Sequence, residues 1–223
     1  MISKFQPWVW YGSASLAFIA GMINAVGFLS FQHQSVTHLT GSTTLCGVAF
    51  AQGDFRQAAH LLAVIGSFLI GAIASGALIQ DSTLKLGRRY GVALSLESVL
   101  LFAAIPLLQR TNNLGLYFAS CAVGLQNGMA STYSGAVLRT SHVSGTFTDL
   151  GILIGHVLRG LPVDYRRLRL SVMLIGMFSL GAGTGAAAFA RLSYDTLYFP
   201  AALVGVVGVA YSVYRRDHRR AIA

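Results

Sequence analysis

Residues 37–47 read Thr37-His38-Leu39-Thr40-Gly41-Ser42-Thr43-Thr44-Leu45-Cys46-Gly47, and residues 141–151 read Ser141-His142-Val143-Ser144-Gly145-Thr146-Phe147-Thr148-Asp149-Leu150-Gly151. The two stretches say one thing twice. His38/His142, Gly41/Gly145, Thr44/Thr148 and Gly47/Gly151 are identical, and Thr37/Ser141, Thr40/Ser144 and Ser42/Thr146 keep a hydroxyl. Upstream, Gly21-Met-Ile-Asn24 echoes Gly124-Leu-Gln-Asn127. Duplication over about half a chain length, in a very apolar chain, is the usual signature of a membrane transporter.

Composition supports the membrane reading. Of 223 residues, 54% are hydrophobic and 10% charged. Six segments are long enough to cross a bilayer, for which about 20 apolar residues suffice. They are 8–30, 58–80, 90–109, 114–137, 168–190 and 197–214. The first reads as a retained span rather than a signal peptide, because it belongs to the repeat and lacks a clear cleavage site. The whole chain, 1–223, reads as a single membrane domain, with repeat one over about 8–110 and repeat two over about 114–215. The net charge of +9 does not point to nucleic acid, since the basic residues sit in short loops beside apolar segments. Cys46 and Cys121 lie in apolar stretches without metal or redox spacing.

Two shorter apolar pieces, 42–52 and 146–158, span roughly 16–20 Å as helices, about half to two-thirds of the hydrocarbon core. They are re-entrant half-helices or short full spans. Charge separates these alternatives. With six full spans and a cytoplasmic N-terminus, 13 basic residues fall inside and only Arg56, Arg110 and Arg191 outside. If all eight pieces cross, the count falls to 11 against 5. The positive-inside rule therefore favours six spans. The expected fold is an all-α membrane protein of six transmembrane helices plus two short half-helices, in two inverted structural repeats. Three spans per half force the inversion. Both termini are then cytoplasmic, in a bacterial inner membrane. Ser67, Gly71 and Ser75, like Gly181 and Gly185, read as helix-packing positions. Tyr214-Arg-Arg-Asp-His-Arg-Arg220 reads as a cytoplasmic anchor beside anionic lipid.

Thr40 and Ser144 precede a glycine and an apolar run, so they read as N-caps, with Gly41 and Gly145 permitting close backbone approach. The first turn of each short helix then offers free N–H groups and the hydroxyls of Ser42, Thr43, Thr44, Thr146 and Thr148. Facing each other near mid-membrane, the two N-termini make an anion site. The competing reading is that these hydroxyls only cap and bridge helices. His38 and His142 bond a solute, titrate, bind metal or merely line a cavity; with His33 they show no known metal spacing. Asn24, Asn127 and Gln126 line a pathway or join helices. Asp149, whose counterpart is Leu45, is either a coupling carboxylate or a buried partner of Arg139 or a histidine. Glu97, mid-way along 90–109, is a second coupling candidate, and His156 reads as structural.

Gly21-Met-Ile-Asn-Ala-Val-Gly-Phe28, His38-Leu-Thr-Gly-Ser42, Gly124-Leu-Gln-Asn127 and Arg139-Thr-Ser-His-Val-Ser-Gly-Thr-Phe-Thr-Asp149 resemble the YoaK-like family of bacterial inner-membrane proteins over nearly the whole chain. The resemblance implies membrane location and about six spans, and supplies no substrate. Two positions depart from that family's usual pattern: Asn24 stands where Asp is common, and Ser42 where Asn is common.

The leading expectation is a transporter or channel for a small, anionic solute bound between the two short helices. A non-transporting scaffold or sensor, and a metal-ion transporter using His38 and His142, are the alternatives. An intramembrane enzyme using His142 and Asp149 ranks below them, because metalloprotease, Gly-x-Ser-x-Gly and phosphate-loop motifs are missing from the sequence. No cofactor is called for. Membrane lipid and the small solute are the expected partners, nucleic acid is not one, and a homodimer is left open.

Overall fold

The order of elements follows the duplication. A computed structural model of the chain describes residues 7–33, 35–79, 89–134 and 138–220, with side chains for 9–211 of these. The first copy contributes α1 (Pro7–Leu29), α2 (Leu39–Ala51), α3 (Phe55–Leu78) and α4 (Arg89–Gln109). The second contributes α5 (Asn113–Ser134), α6 (Val143–Leu158), α7 (Tyr165–Leu192) and α8 (Tyr198–Arg220), with a short 3-10 turn at Ser193–Leu197 between the last two. The described residues contain no strand. Lys4, Lys85 and Arg88 lie outside the described residues, as do the side chains of the Tyr214–Arg220 anchor.

Val9–Leu29, Phe55–Leu78, Arg89–Gln109 and the 47-residue stretch Tyr165–Tyr211 are long and apolar enough to cross a membrane. The last of these holds both α7 and α8. Leu69, Ile70 and Ile73 on α3, and Val206 and Val209 on α8, turn apolar side chains outward. That is the face a chain shows to lipid rather than to water. This is a membrane protein.

The short helices begin earlier than the apolar runs suggest, at Leu39 and Val143. The carbonyls of His38 and His142 accept the first intrahelical bonds, from the backbone N–H groups of Ser42 at 3.1 Å and Thr146 at 3.2 Å. Each short helix ends in a left-handed glycine, Gly53 (φ 75°) and Gly160 (φ 67°). There the next residue donates back five positions, Asp54 N–H to Ala49 and Leu161 N–H to His156. This is the turn that stops a helix while satisfying its last carbonyls. The chain then re-enters a long helix through an aspartate cap. Asp54 accepts from Gln57 N–H, and Asp164 from Arg166 and Arg167 N–H.

The long helices pair across the copies. α1 packs along α7, and their counterparts α5 and α3 pack along each other. Both contacts are made by glycine against backbone. An added Cβ would overlap the Phe178 carbonyl at Gly21, the Phe68 carbonyl at Gly124, the Cys121 carbonyl at Gly71 and the Phe18 carbonyl at Gly181. These four sites form two equivalent pairs. Small residues allow such close contact in lipid, where packing itself must hold helices together.

The pairings also fix relative direction. Phe18 meets Gly181 and Met22 meets Gly185, so α1 and α7 run the same way. Phe68 meets Gly124 and Ser75 meets Gly128, so α3 and α5 do too. α4 and α8 run oppositely: Phe102 meets Tyr198, Ser98 meets Gly205 and Ser95 meets Gly208.

Candidate functional site

Each short helix is held by an amide from the preceding long one. The Asn24 carbonyl oxygen accepts from the Ser35 hydroxyl, from Thr37 N–H at 3.2 Å and from the Thr37 hydroxyl at 2.7 Å. Its counterpart Asn127 accepts from Thr140 Oγ1 and from Ser141 N–H, each at 3.3 Å, and donates Nδ2 to Ser141 Oγ and the Val123 carbonyl. These bonds satisfy polar backbone just before a helix start, where a low-dielectric surrounding makes an unmet group costly.

The caps differ from expectation. His38 (φ −95°, ψ 65°) and His142 (φ −87°, ψ 62°) occupy the N-cap positions in nearly the same conformation, and neither helix start receives a side-chain cap bond. Thr40 and Ser144 lie one step inside the helix instead. The motif's other hydroxyls bond back along their own helices. Ser42 donates to His38, Thr43 to Leu39, Thr44 to Thr40, Thr146 to His142 and Thr148 to Ser144, each to a backbone carbonyl. This habit of Ser and Thr serves the helix and leaves its N-terminal N–H groups uncovered. Gly41 and Gly145 have ordinary helical backbone, and at Gly145 the missing side chain leaves room for a histidine ring. A Cβ would lie 3.4 Å from the His38 ring at Gly41 and 2.7 Å from the His142 ring at Gly145.

An open cavity of about 550 Å³ lies between the two helix starts. Equivalent residues line it in pairs: Asn24 and Asn127, Thr37 and Ser141, His38 and His142, Leu39 and Val143, Thr40 and Ser144, Phe68 and Phe178. His38, Thr40, His142 and Ser144 are exposed within it. Arg139, Ser131, Gly128 and Ala72 complete the wall. The Arg139 guanidinium approaches His142, with Nη1 to Nδ1 at 3.4 Å. Burial, followed by the Arg139 charge, holds the His142 imidazole below its usual range, opposed by Asp149.

Six of the residues expected at the site thus line one cavity: Asn24, His38, Thr40, Asn127, His142 and Ser144. Ser42, Thr43, Thr44, Thr146 and Thr148 sit further along their helices, and Gly41 and Gly145 lie beside the rings. Gln126 is fully buried and donates to the Leu16 carbonyl, joining α5 to α1. Asp149 pairs with neither Arg139 nor a histidine. Its carboxylate meets Arg167 at 3.1 Å, both side chains about half exposed, outside the cavity wall. Glu97 is fully buried in α4, away from the cavity, and neither carboxyl oxygen has a hydrogen-bond partner among the described residues. His33 bonds the Phe28 carbonyl, apart from the other two histidines. Among the described residues no three His, Cys, Asp or Glu side chains converge as metal ligands would.

Sequence reading placed Arg139 in a loop and left Phe68, Phe178, Thr37 and Ser141 unassigned. The doubled pattern carried a signal for Thr37 and Ser141, which keep a hydroxyl in both copies. It carried none for the phenylalanines, which reach the cavity only because α3 and α7 pack on the opposite copy.

The family described as "Protein of unknown function (DUF1275)" matches residues 13–210. The chain belongs to this family. The match spans both copies of the motif and agrees with the YoaK-like resemblance of the sequence. No curated protein and no solved structure matches the chain. Within this DUF1275 member, the paired cavity is where equivalent residues of the two copies meet around open space.

Proposed function

We propose that this protein is an integral membrane transporter or channel for a small anionic solute, held in the central cavity between the starts of α2 and α6. The observation that carries the reading is the cavity wall itself. Two uncapped helix N-termini, paired hydroxyls and amides, and the Arg139 guanidinium surround one space. Helix N–H groups and a guanidinium both favour negative charge. A lining carboxylate would oppose it, and among the described residues the cavity wall has none.

Six spans with inverted halves fit this role. The relative directions support that topology. If all eight helices crossed the bilayer, α4 and α8 would run the same way; with α2 and α6 re-entrant, they run oppositely, as their contacts do. The positive-inside count then puts both termini in the cytoplasm of a bacterial cell, with lipid around the outward apolar faces. Asp149 and Glu97 remain the candidates for coupling, Asp149 acting through its charge on His142 and Glu97 from within α4.

The deciding experiment reconstitutes the protein in liposomes and follows radiolabelled sulfate, phosphate, acetate and lactate. Entry of at least one, lowered about tenfold or more by Arg139→Gln, is the expected result, since loss of one charged contact is worth about 1.5–3 kcal/mol. Equal leakage from protein-free vesicles for all four would sink the transport reading and favour a scaffold or sensor.

A further inference from the structure

The cross-copy seams α1–α7 and α3–α5 match each other, but another pair of equivalent seams does not. α5 lies against α4, where a Cβ at Gly115 would stand 2.6 Å from Leu108 Cγ and 2.9 Å from the Ala104 carbonyl oxygen. The equivalent seam joins α1 and α8, and it is open. α1 and α8 barely touch along their described lengths, whereas α4 and α5 pack closely. An apolar cavity of about 680 Å³ takes the place of the contact, with Leu16 and Ile19 on one wall and Val204 and Val207 on the other.

This gap adjoins the central cavity. The stretch 138–141 separates them, with Leu138 and Thr140 facing the gap and Arg139 and Ser141 lining the central cavity. A molecule made of two similar halves has two exchanged arrangements of such seams. Closing α1 on α8 would bury apolar surface while opening α4 from α5 would expose it, so the two changes offset each other in part.

We propose that the protein is a carrier, in which closure of α1 on α8 and parting of α5 from α4 switch the central cavity from one side of the membrane to the other. This rests on the transport reading above. The structure holds one arrangement: the α4–α5 seam shut, the α1–α8 seam open. The exchanged arrangement shuts the second and opens the first, and the solute site between α2 and α6 is common to both.

The test is cross-linking, which needs no solute. In a background with Cys46→Ala and Cys121→Ala, the pair Leu16→Cys with Val207→Cys bridges only when α1 closes on α8. Adding Gly115→Leu wedges the α4–α5 seam and is expected to raise the bridging yield several-fold. A wedged protein that inserts normally, with an unchanged yield, overturns the proposal. Val207→Trp supplies a second arm, because the gap has room for the ring while closure does not. Entry of whichever of sulfate, phosphate, acetate or lactate the wild type moves is expected to fall about tenfold or more with binding retained. Undiminished entry in Val207→Trp overturns the proposal as well. Bridging that responds to the wedge, in a protein that moves none of the four anions, supports seam exchange and sinks the transport reading instead.

Discussion

Arg139 leans on His142, its Nη1 3.4 Å from the imidazole Nδ1 at the wall of the central cavity. Burial and that neighbouring cation hold the ring below the usual 6.5, with Asp149 pulling it back up. His142 therefore gains its proton at lower pH than an unperturbed imidazole does. A protonated ring adds a second cation beside a bound anion, so anion binding tightens as pH falls through the lowered pKa. Sulfate binding against pH, with an anion that does not itself titrate in this range, checks it. Arg139→Gln removes the like charge and moves the rise to higher pH. Asp149→Asn moves it to lower pH. His142→Asn removes it, and a rise that survives in that variant assigns the effect elsewhere.

The motif glycines are unequal. At Gly145 a Cβ would press within 2.7 Å of the His142 ring, whereas at Gly41 it would meet the His38 ring at 3.4 Å, near ordinary contact. Gly145→Ala should displace a cavity-lining ring and weaken anion binding about tenfold, a loss of about 1.4 kcal/mol. Gly41→Ala should stay within about twofold, because a shift of a few tenths of an ångström relieves it. Equal losses in both variants would show that ring placement is not what these glycines provide.

Asn24 and Asn127 hold their helix starts with different atoms. Asn24 receives three bonds on its carbonyl oxygen, while Asn127 also donates through Nδ2 to Ser141 and Val123. A carboxylate accepts but does not donate. Asn24→Asp is therefore expected to insert and keep its stability while its carboxylate on the cavity wall weakens anion binding, and Asn127→Asp to lose stability by about 1–3 kcal/mol. Thermal unfolding in detergent compares them.

Cross-copy packing sets a third contrast. Gly21→Ala and Gly124→Ala each drive a methyl into a phenylalanine carbonyl, at a cost of about 1–3 kcal/mol. Gly76→Ala, on the same α3 that holds Phe68, meets nothing within 4 Å among the described residues and should be neutral or gain up to about 1 kcal/mol. Detergent unfolding midpoints for the three variants decide it.

Glu97 tests whether burial or function keeps a carboxyl in α4. Both its oxygens lack partners among the described residues, so replacing it with a similar-sized apolar group removes an unmet polar burden. Glu97→Met should unfold at the wild-type midpoint or above. If Glu97 couples, the same variant loses the pH dependence of uptake that His142→Asn leaves behind; unchanged uptake at every pH returns Glu97 to a packing role.

Much of this protein was legible in its residues. Lipid-length apolar runs and the two copies of the His-x-x-Gly motif are local properties, set by transfer free energy and backbone geometry within a few residues. They located α1, α3, α4, α7 and α8 closely. They missed the first three residues of α2 and α6, because helix starts there depend on histidine carbonyls rather than on a polar cap. The site was read half correctly for the same reason. Hydroxyls repeated in sequence looked like ligands, yet a helix offers each of them its own carbonyl four residues back.

What the sequence determined by itself is an apolar chain in two copies, with an amide and a histidine before each short helix. Tertiary structure alone decided which of those residues share a space. α1 meets α7 and α3 meets α5 through contacts fifty or more residues apart, and no local pattern encodes such a meeting. Those contacts bring Phe68 and Phe178 to the wall, set Arg139 beside His142 and leave Asp149 outside with Arg167. They also leave the α4–α5 seam shut and the α1–α8 seam open, because packing between helices distant in sequence, not local pattern, sets which surfaces meet.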